Sequence, residues 1–186
     1  KKEIVVQDRD HMLYLISTAG NILWKKQLSG PIQGKIHQVD LYKNNKLQLA
    51  FTTDSQFLIL DRNGKTVSPF TLEFKGGNLN GLAVFDYEGN KNYRFLVTQD
   101  DKVYMYNNKA QIVKGFTYTK AEDQIMAPPQ HFRMGNRDYL VFQLKNKKLK
   151  ILNRTGQDRI RITEEIPFSQ NTVKVYKNKF TLTTND

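Results

Sequence analysis

The chain has 186 residues, of which 39% are hydrophobic and 11% aromatic, so its composition is that of a folded chain and excludes a wholly disordered one. It contains no cysteine, which excludes disulfide bonds, thiolate metal sites and cysteine nucleophiles. The net charge is +11, and most of the basic residues are lysines. No apolar run approaches the roughly 20 residues that a membrane-spanning helix needs.

Four similar segments recur along the chain: LYLISTAGNILW at 13–24, FLILDRNGKTV at 57–67, VYMYNNKAQIV at 103–113 and LKILNRTGQDR at 149–159. Each has the pattern of an apolar strand, a polar turn and a second strand. The small turn residues Gly20, Gly64, Ala110 and Gly156 are spaced by 44, 46 and 46 residues. Glycine suits a turn that needs a positive φ. In the third copy we expect Asn107 and Asn108 to supply that conformation in place of Ala110.

Two further strand-like segments precede most copies, so the predicted unit has four strands joined by short hairpins. Units of this kind cover 34–74, 80–120 and 127–166, while 3–28 and 171–184 hold three and two of the strands. No segment has the length and the 3.6-residue period of a helix. Four short antiparallel strands at this spacing are typical of a β-propeller blade.

The sequence therefore predicts an all-β chain, with 1–186 forming a single β-propeller domain or propeller segment of three complete and two partial blades. Phe57 to Leu60 are apolar on both faces of their strand, as expected for a blade packed between two neighbours. The strand count leaves one strand over if the ends close a ring of four blades. We therefore expect an arc of a longer propeller with roughly six to eight blades.

The first copy resembles the repeat of quinoprotein-type, WD40-like β-propellers through Leu13, Tyr14, Leu15, Gly20, Leu23 and Trp24. In the second copy Leu58, Leu60, Asp61 and Gly64 match, whereas Ser68, Lys114 and Ile160 replace the tryptophan in the later copies. The resemblance implies either a quinone-dependent dehydrogenase or a non-catalytic scaffold of a bacterial cell envelope. The enzymes hold their quinone against a vicinal disulfide, which this chain cannot form, so we expect no cofactor and no catalytic residues.

We therefore expect a binding or scaffold module with a protein partner, located in the periplasm or at the cell surface, with the cytoplasm as an alternative. The alternative function is an enzyme or carbohydrate-binding propeller whose site is completed by blades outside this chain. Possible partner-surface residues are the link aromatics Phe116, Tyr118 and Phe168 and the basic run Lys145, Lys147, Lys148 and Lys150. The run is interpreted as a solvated strand face. A nucleic-acid surface would require all four lysines on one exposed face.

The candidates for metal binding are the three histidines, His11, His37 and His131, and the acidic pairs Asp8 with Asp10 and Asp100 with Asp101. Their spacing gives no reason for convergence, and both acidic pairs fall in hairpins where Asp forms turns. The sequence therefore predicts no metal site.

Overall fold

The computed structural model describes residues 2–169 and 171–184. These residues form sixteen β-strands and no helix, and every pair of adjacent strands is antiparallel. The prediction of an all-β chain is confirmed. The described residues contain no helix, and therefore none that is long and apolar enough to cross a bilayer.

The strands form five sheets, each a meander in chain order. The first sheet contains β1 (Glu3–Gln7), β2 (Met12–Ser17) and β3 (Ile22–Gln27). The second contains β4 (Ile32–Val39), β5 (Gln48–Thr53), β6 (Gln56–Leu60) and β7 (Thr66–Glu73). The third contains β8 (Ala83–Phe85), β9 (Arg94–Gln99) and β10 (Lys102–Tyr106). The fourth contains β11 (Gln130–Met134), β12 (Arg137–Gln143), β13 (Leu149–Leu152) and β14 (Asp158–Ile160), and the fifth β15 (Lys174–Tyr176) and β16 (Lys179–Thr181).

The third sheet has three strands, although four were expected over 80–120. The segment that follows β10 pairs with it only through isolated bridges at Ile112 and Lys120. A turn closed by the hydrogen bond from Phe116 N to Val113 O (3.0 Å) interrupts the segment beside Gly115. The ladder is therefore broken before a fourth strand can form.

The turns that contain Gly20, Gly64, Ala110 and Gly156 share one hydrogen-bonded geometry. The first residue of the turn is Ser17, Asp61, Asn107 or Asn153, whose side-chain oxygen accepts a hydrogen bond from the backbone N–H four residues later. The small residue has φ of 81° at Gly20, 76° at Gly64, 55° at Ala110 and 84° at Gly156. The expectation for the third turn was wrong, because Ala110 itself adopts the left-handed conformation.

Each of the four buried apolar clusters combines residues of two consecutive sheets. Strand β6 illustrates the arrangement. Phe57 and Ile59 pack with Phe95 of the third sheet, whereas Leu58 and Leu60 pack with Leu13 of the first. The prediction that this strand is buried on both faces is confirmed, and it explains why the strand is apolar without alternation.

Hydrogen bonds also join consecutive sheets along their first strands and the segments just before them. His37 Nε2 lies 2.8 Å from Leu82 O, and Asn80 Nδ2 donates to Ile125 O at 3.0 Å. Gln130 donates to Val173 O and accepts from Val173 N, both at 3.0 Å. Equivalent edges of successive sheets thus lie side by side.

Candidate functional site

Two of the three aromatic side chains that were expected at a partner surface belong to the core. Phe116 is 4% exposed, in the cluster between the third and fourth sheets. Tyr118 packs against the same cluster with its ring 5.2 Å from that of Phe142, and burial raises the pKa of its hydroxyl. The expectation of a partner surface is corrected for Phe116, because the turn at 113–116 directs the chain back onto the core.

The basic run of 145–150 is divided between two environments. Lys150 Nζ lies 2.9 Å from Glu122 Oε1 and 3.4 Å from Asp158 Oδ1, and Lys148 Nζ lies 3.3 Å from Glu122 Oε2. The hydrogen bond from Lys150 lowers the pKa of Glu122, against the opposing effect of burial, and Lys148 adds to it. These two lysines are paired with carboxylates. The four lysines therefore do not form a single free cationic face.

Lys145 and Lys147 are exposed in the turn between β12 and β13, where they border a groove. The groove has a volume of about 490 Å³. The lining residues on which its chemistry depends are Met126, Leu144, Lys145, Lys147, Pro167 and Phe168. Met126 is 56% exposed, and Phe168 is half-buried against the cluster between the fourth and fifth sheets. We call this feature the Met126 groove; it combines an apolar lining with two cations.

Backbone hydrogen bonds fix the walls of the Met126 groove. Met126 N donates to Gln143 O at 2.9 Å, and Lys145 N donates to Gln124 O at 2.9 Å. Ile166 N donates to Lys147 O at 2.7 Å from the opposite side. Lys147 has a φ of 64°, which gives the turn its tight reversal. The groove is therefore preformed by the main chain.

A polar cavity of about 330 Å³ lies at the other end of the fourth sheet. In a four-strand meander the β11–β12 and β13–β14 turns share one end, and the β12–β13 turn occupies the other. The cavity is lined by Glu88, Arg133, Asn136, Asp138, Asn153, Arg154, Thr155 and Arg159. We call it the arginine cavity.

Asp138 organises the arginine cavity from a buried position, with 3% of its side chain exposed. It accepts hydrogen bonds from His131 Nε2 at 2.7 Å and from Arg154 Nε. Burial alone would raise the pKa of Asp138, but the bonds from His131 and Arg154 outweigh it and hold this pKa below its usual value. Arg154 also pairs with Glu88, and its guanidinium lies 4.7 Å from the centre of the Tyr87 ring. The network thus ties the third sheet to the fourth.

The other candidate residues have structural contacts. Asp8 Oδ1 accepts from Asp10 N at 3.0 Å and from Met12 N at 2.9 Å, as in a turn. His37 and His131 hydrogen-bond to a carbonyl and a carboxylate, and His11 lies in a hairpin with a φ of 64°. Within 2–169 and 171–184, no three His, Asp or Glu side chains gather closely enough to hold a metal ion.

Sequence reasoning missed Asp138, Arg154 and Met126. A signal for Asp138 existed: it precedes the buried Leu140 and Phe142 at intervals of two, which places its carboxylate on a buried face of β12. Arg154 and Met126 had no comparable signal, because their partners come from other parts of the chain.

Neither a comparison with protein-family models nor a search of curated proteins finds a significant match for this chain. Its function is therefore inferred from the Met126 groove and the arginine cavity.

Proposed function

We propose that this chain is a β-propeller segment whose sheets act as successive blades and whose role is non-catalytic binding of a protein partner, as a scaffold in a bacterial cell envelope. Two observations support the blade arrangement: the four equivalent turns, and the four clusters that each join neighbouring sheets. The cell-envelope location rests on the resemblance of the first copy to envelope scaffolds.

An exposed apolar face on the first sheet supports a propeller with additional blades. Ile4, Val6 and Ile22 are 58%, 45% and 59% exposed. Ile16 lies opposite both Ile4 and Ile22 in the strand register, so these side chains share one face. In the second sheet both faces are covered by neighbouring sheets. A further sheet of the same kind would cover this face in the same way.

The Met126 groove is the observation that carries the binding function. Met126, Pro167 and Phe168 offer apolar surface, and methionine adapts its shape to different partners. Lys145 and Lys147 add two positive charges at the border, neither of them in a described ion pair. The occupant that fits is a peptide segment with an apolar side chain next to an acidic one. The charge attracts the segment, and the apolar contact supplies the affinity.

Selection of a displayed peptide library on the folded chain tests this function. We expect selected peptides to combine an aromatic or aliphatic residue with Asp or Glu. Their affinity, measured by calorimetry, should fall at least about tenfold for Met126→Asp, because a buried carboxylate would face the apolar side chain of the peptide. Lys145→Glu with Lys147→Glu should weaken binding more at low salt than at high salt.

Tyr42→Asp is the matched control, because Tyr42 is 61% exposed and does not line the groove. It should leave the affinity of the selected peptides unchanged. Peptides without acidic residues, or peptides that bind equally to the wild type and to Met126→Asp, would contradict the proposed function.

A further inference from the structure

We propose that the arginine cavity is a binding site for a carboxylate, held by Arg159 and Arg133. The proposal is independent of the Met126 groove, which lies at the other end of the fourth sheet. Its ligand class is a small monoanionic carboxylate.

The charges that line the cavity leave one positive charge uncompensated. Three arginines (Arg133, Arg154 and Arg159) face two carboxylates, Asp138 and Glu88. Arg154 is engaged through all three of its nitrogens, since Nε bonds Asp138, Nη1 bonds Glu88 and Nη2 donates to Tyr87 O at 3.4 Å. The uncompensated charge therefore belongs to Arg133 and Arg159.

Arg159 has unused donors in a partly buried position. Its guanidinium carbon lies 5.4 Å from the centre of the Tyr139 ring, within cation–π distance. Its Nε is buried and has no hydrogen-bond partner among the described residues. A buried N–H without an acceptor is costly, and the guanidinium also carries N–H groups on its two terminal nitrogens, which make no hydrogen bond to a described residue, at the lining of the cavity.

Arg133 supplies the second half of the site. One of its nitrogens, Nη1, donates to Tyr87 O at 2.5 Å and lies 3.9 Å from Asp138 Oδ1. These contacts anchor the guanidinium beside the cavity, while 42% of the side chain stays exposed. Its remaining N–H groups are available to a ligand, and arginine binds carboxylate oxygens in a planar, two-pronged geometry.

The lining favours a carboxylate over a phosphate. Asp138 and Glu88 stand in the same cavity and would repel the second negative charge of a phosphate dianion. One surplus positive charge matches one negative charge. The two oxygens of a carboxylate can each accept a hydrogen bond from the free donors of Arg133 and Arg159.

Titration of the arginine Nε–Hε signals by NMR at constant ionic strength tests the site, with sodium acetate, phosphate and chloride as probes. We expect acetate to shift the Arg159 signal saturably, with chloride having no effect and phosphate binding more weakly than acetate. Arg133→Gln should weaken acetate binding at least about fivefold, whereas Arg161→Gln, a neighbour with 82% of its side chain exposed, should leave it unchanged.

Arg159→Gln provides a second measurement, by thermal unfolding with and without acetate. The stabilisation by acetate in the wild type should be lost in this variant and retained in Arg161→Gln. Absence of a saturable acetate shift in the wild type would overturn the proposal. Tighter binding of phosphate than of acetate would overturn the assignment of the ligand as a carboxylate.

Discussion

The indole of Trp24, on the last strand of the first sheet, lies directly against Gly64 in a turn of the second. Trp24 Nε1 donates to Arg62 O at 3.0 Å, and a β-carbon at position 64 would lie 2.8 Å from Trp24 Cδ2. Gly64 is therefore required for two reasons, its φ of 76° and the closeness of the indole. The contact fixes one sheet on the next.

Gly64→Ala is expected to destabilise the chain more than Gly20→Ala. Both substitutions place a side chain at an equivalent left-handed position, which costs about 1–2 kcal/mol. Only at position 64 must the indole also move, because nothing lies within 4 Å of a β-carbon at position 20. We expect an additional loss of about 1–3 kcal/mol for Gly64→Ala in urea unfolding. Equal losses for the two variants would show that the indole contact contributes nothing.

Phe57 and Phe95 are expected to be energetically coupled across the second and third sheets. Their ring centres are 5.3 Å apart in one buried cluster. In a double-mutant cycle with Phe57→Leu and Phe95→Leu, we expect a coupling of about 0.5–1.5 kcal/mol in the free energy of unfolding. Phe57 with Phe142 is the control pair, since Phe142 belongs to another cluster, and their effects should add. Additivity in the Phe57–Phe95 cycle would contradict direct packing.

The free energy of unfolding is expected to decrease as the pH falls below about 6.5, because of His37. Burial lowers the pKa of His37, with a smaller contribution from Lys35, although the bond to Leu82 O opposes them. The unfolded chain therefore takes up a proton at a higher pH than the folded chain. This stability is present above the unfolded pKa and is lost as the pH falls through the folded one.

Urea unfolding between pH 5 and pH 8 measures this effect. His37→Gln should flatten the part of the pH dependence that begins below pH 6.5, whereas His11→Asn should leave it in place. Asparagine suits position 11 because that residue has a φ of 64°. An unchanged pH profile for His37→Gln would count against the prediction.

Lys91→Met is expected to raise the pKa of Asp40. Lys91 Nζ lies 2.6 Å from Asp40 Oδ2, and this hydrogen bond is the main cause that lowers the pKa, with help from the N–H groups of Asn44 and Asn45. A depressed carboxylate pKa contributes stability above about pH 3.9, which is lost as the pH falls through the folded pKa. The stability difference between wild type and variant should therefore shrink in acid.

Carboxyl-carbon NMR follows the titration of Asp40 directly. Lys43→Met is the control, because Lys43 Nζ bonds the amide oxygen of Asn92. That variant should leave the titration of Asp40 unchanged. A titration of Asp40 that is the same in Lys91→Met and the wild type would show that the ion pair does not act on this carboxylate.

The sequence predicted the repeated strands and turns because their signals are local. Gly20, Gly64 and Gly156 mark turns by a conformation that glycine adopts without strain. Ala110 breaks this signal, and its positive φ depends on the bond of Ala110 N to Asn107 O and on packing against the cluster between the second and third sheets. The spacing of the repeat still marked the third turn, but it did not show that Ala110 carries the positive φ.

The candidate site was less predictable because its contacts join distant parts of the chain. Glu88 and Arg154 are 66 residues apart, and Phe116 is buried by a turn whose closing bond leaves no pattern in its residues. The run of lysines near residue 147 was visible, but the carboxylates that neutralise Lys148 and Lys150 were not. The sequence shows a charge, and only the fold shows whether it is paired.

Because each cluster joins only consecutive sheets, the stability of the molecule is approximately a sum of terms for the single sheets and for the interfaces between neighbouring sheets. A sheet opens at the cost of its own strand pairing and of the interfaces on either side. Among the described residues we therefore expect opening to begin at the fifth sheet, which has two strands. Amide exchange should slow from that sheet towards the second, whose two faces are both covered. A cavity-forming substitution in the cluster around Phe57 should weaken the interface between the second and third sheets, and so speed amide exchange in both.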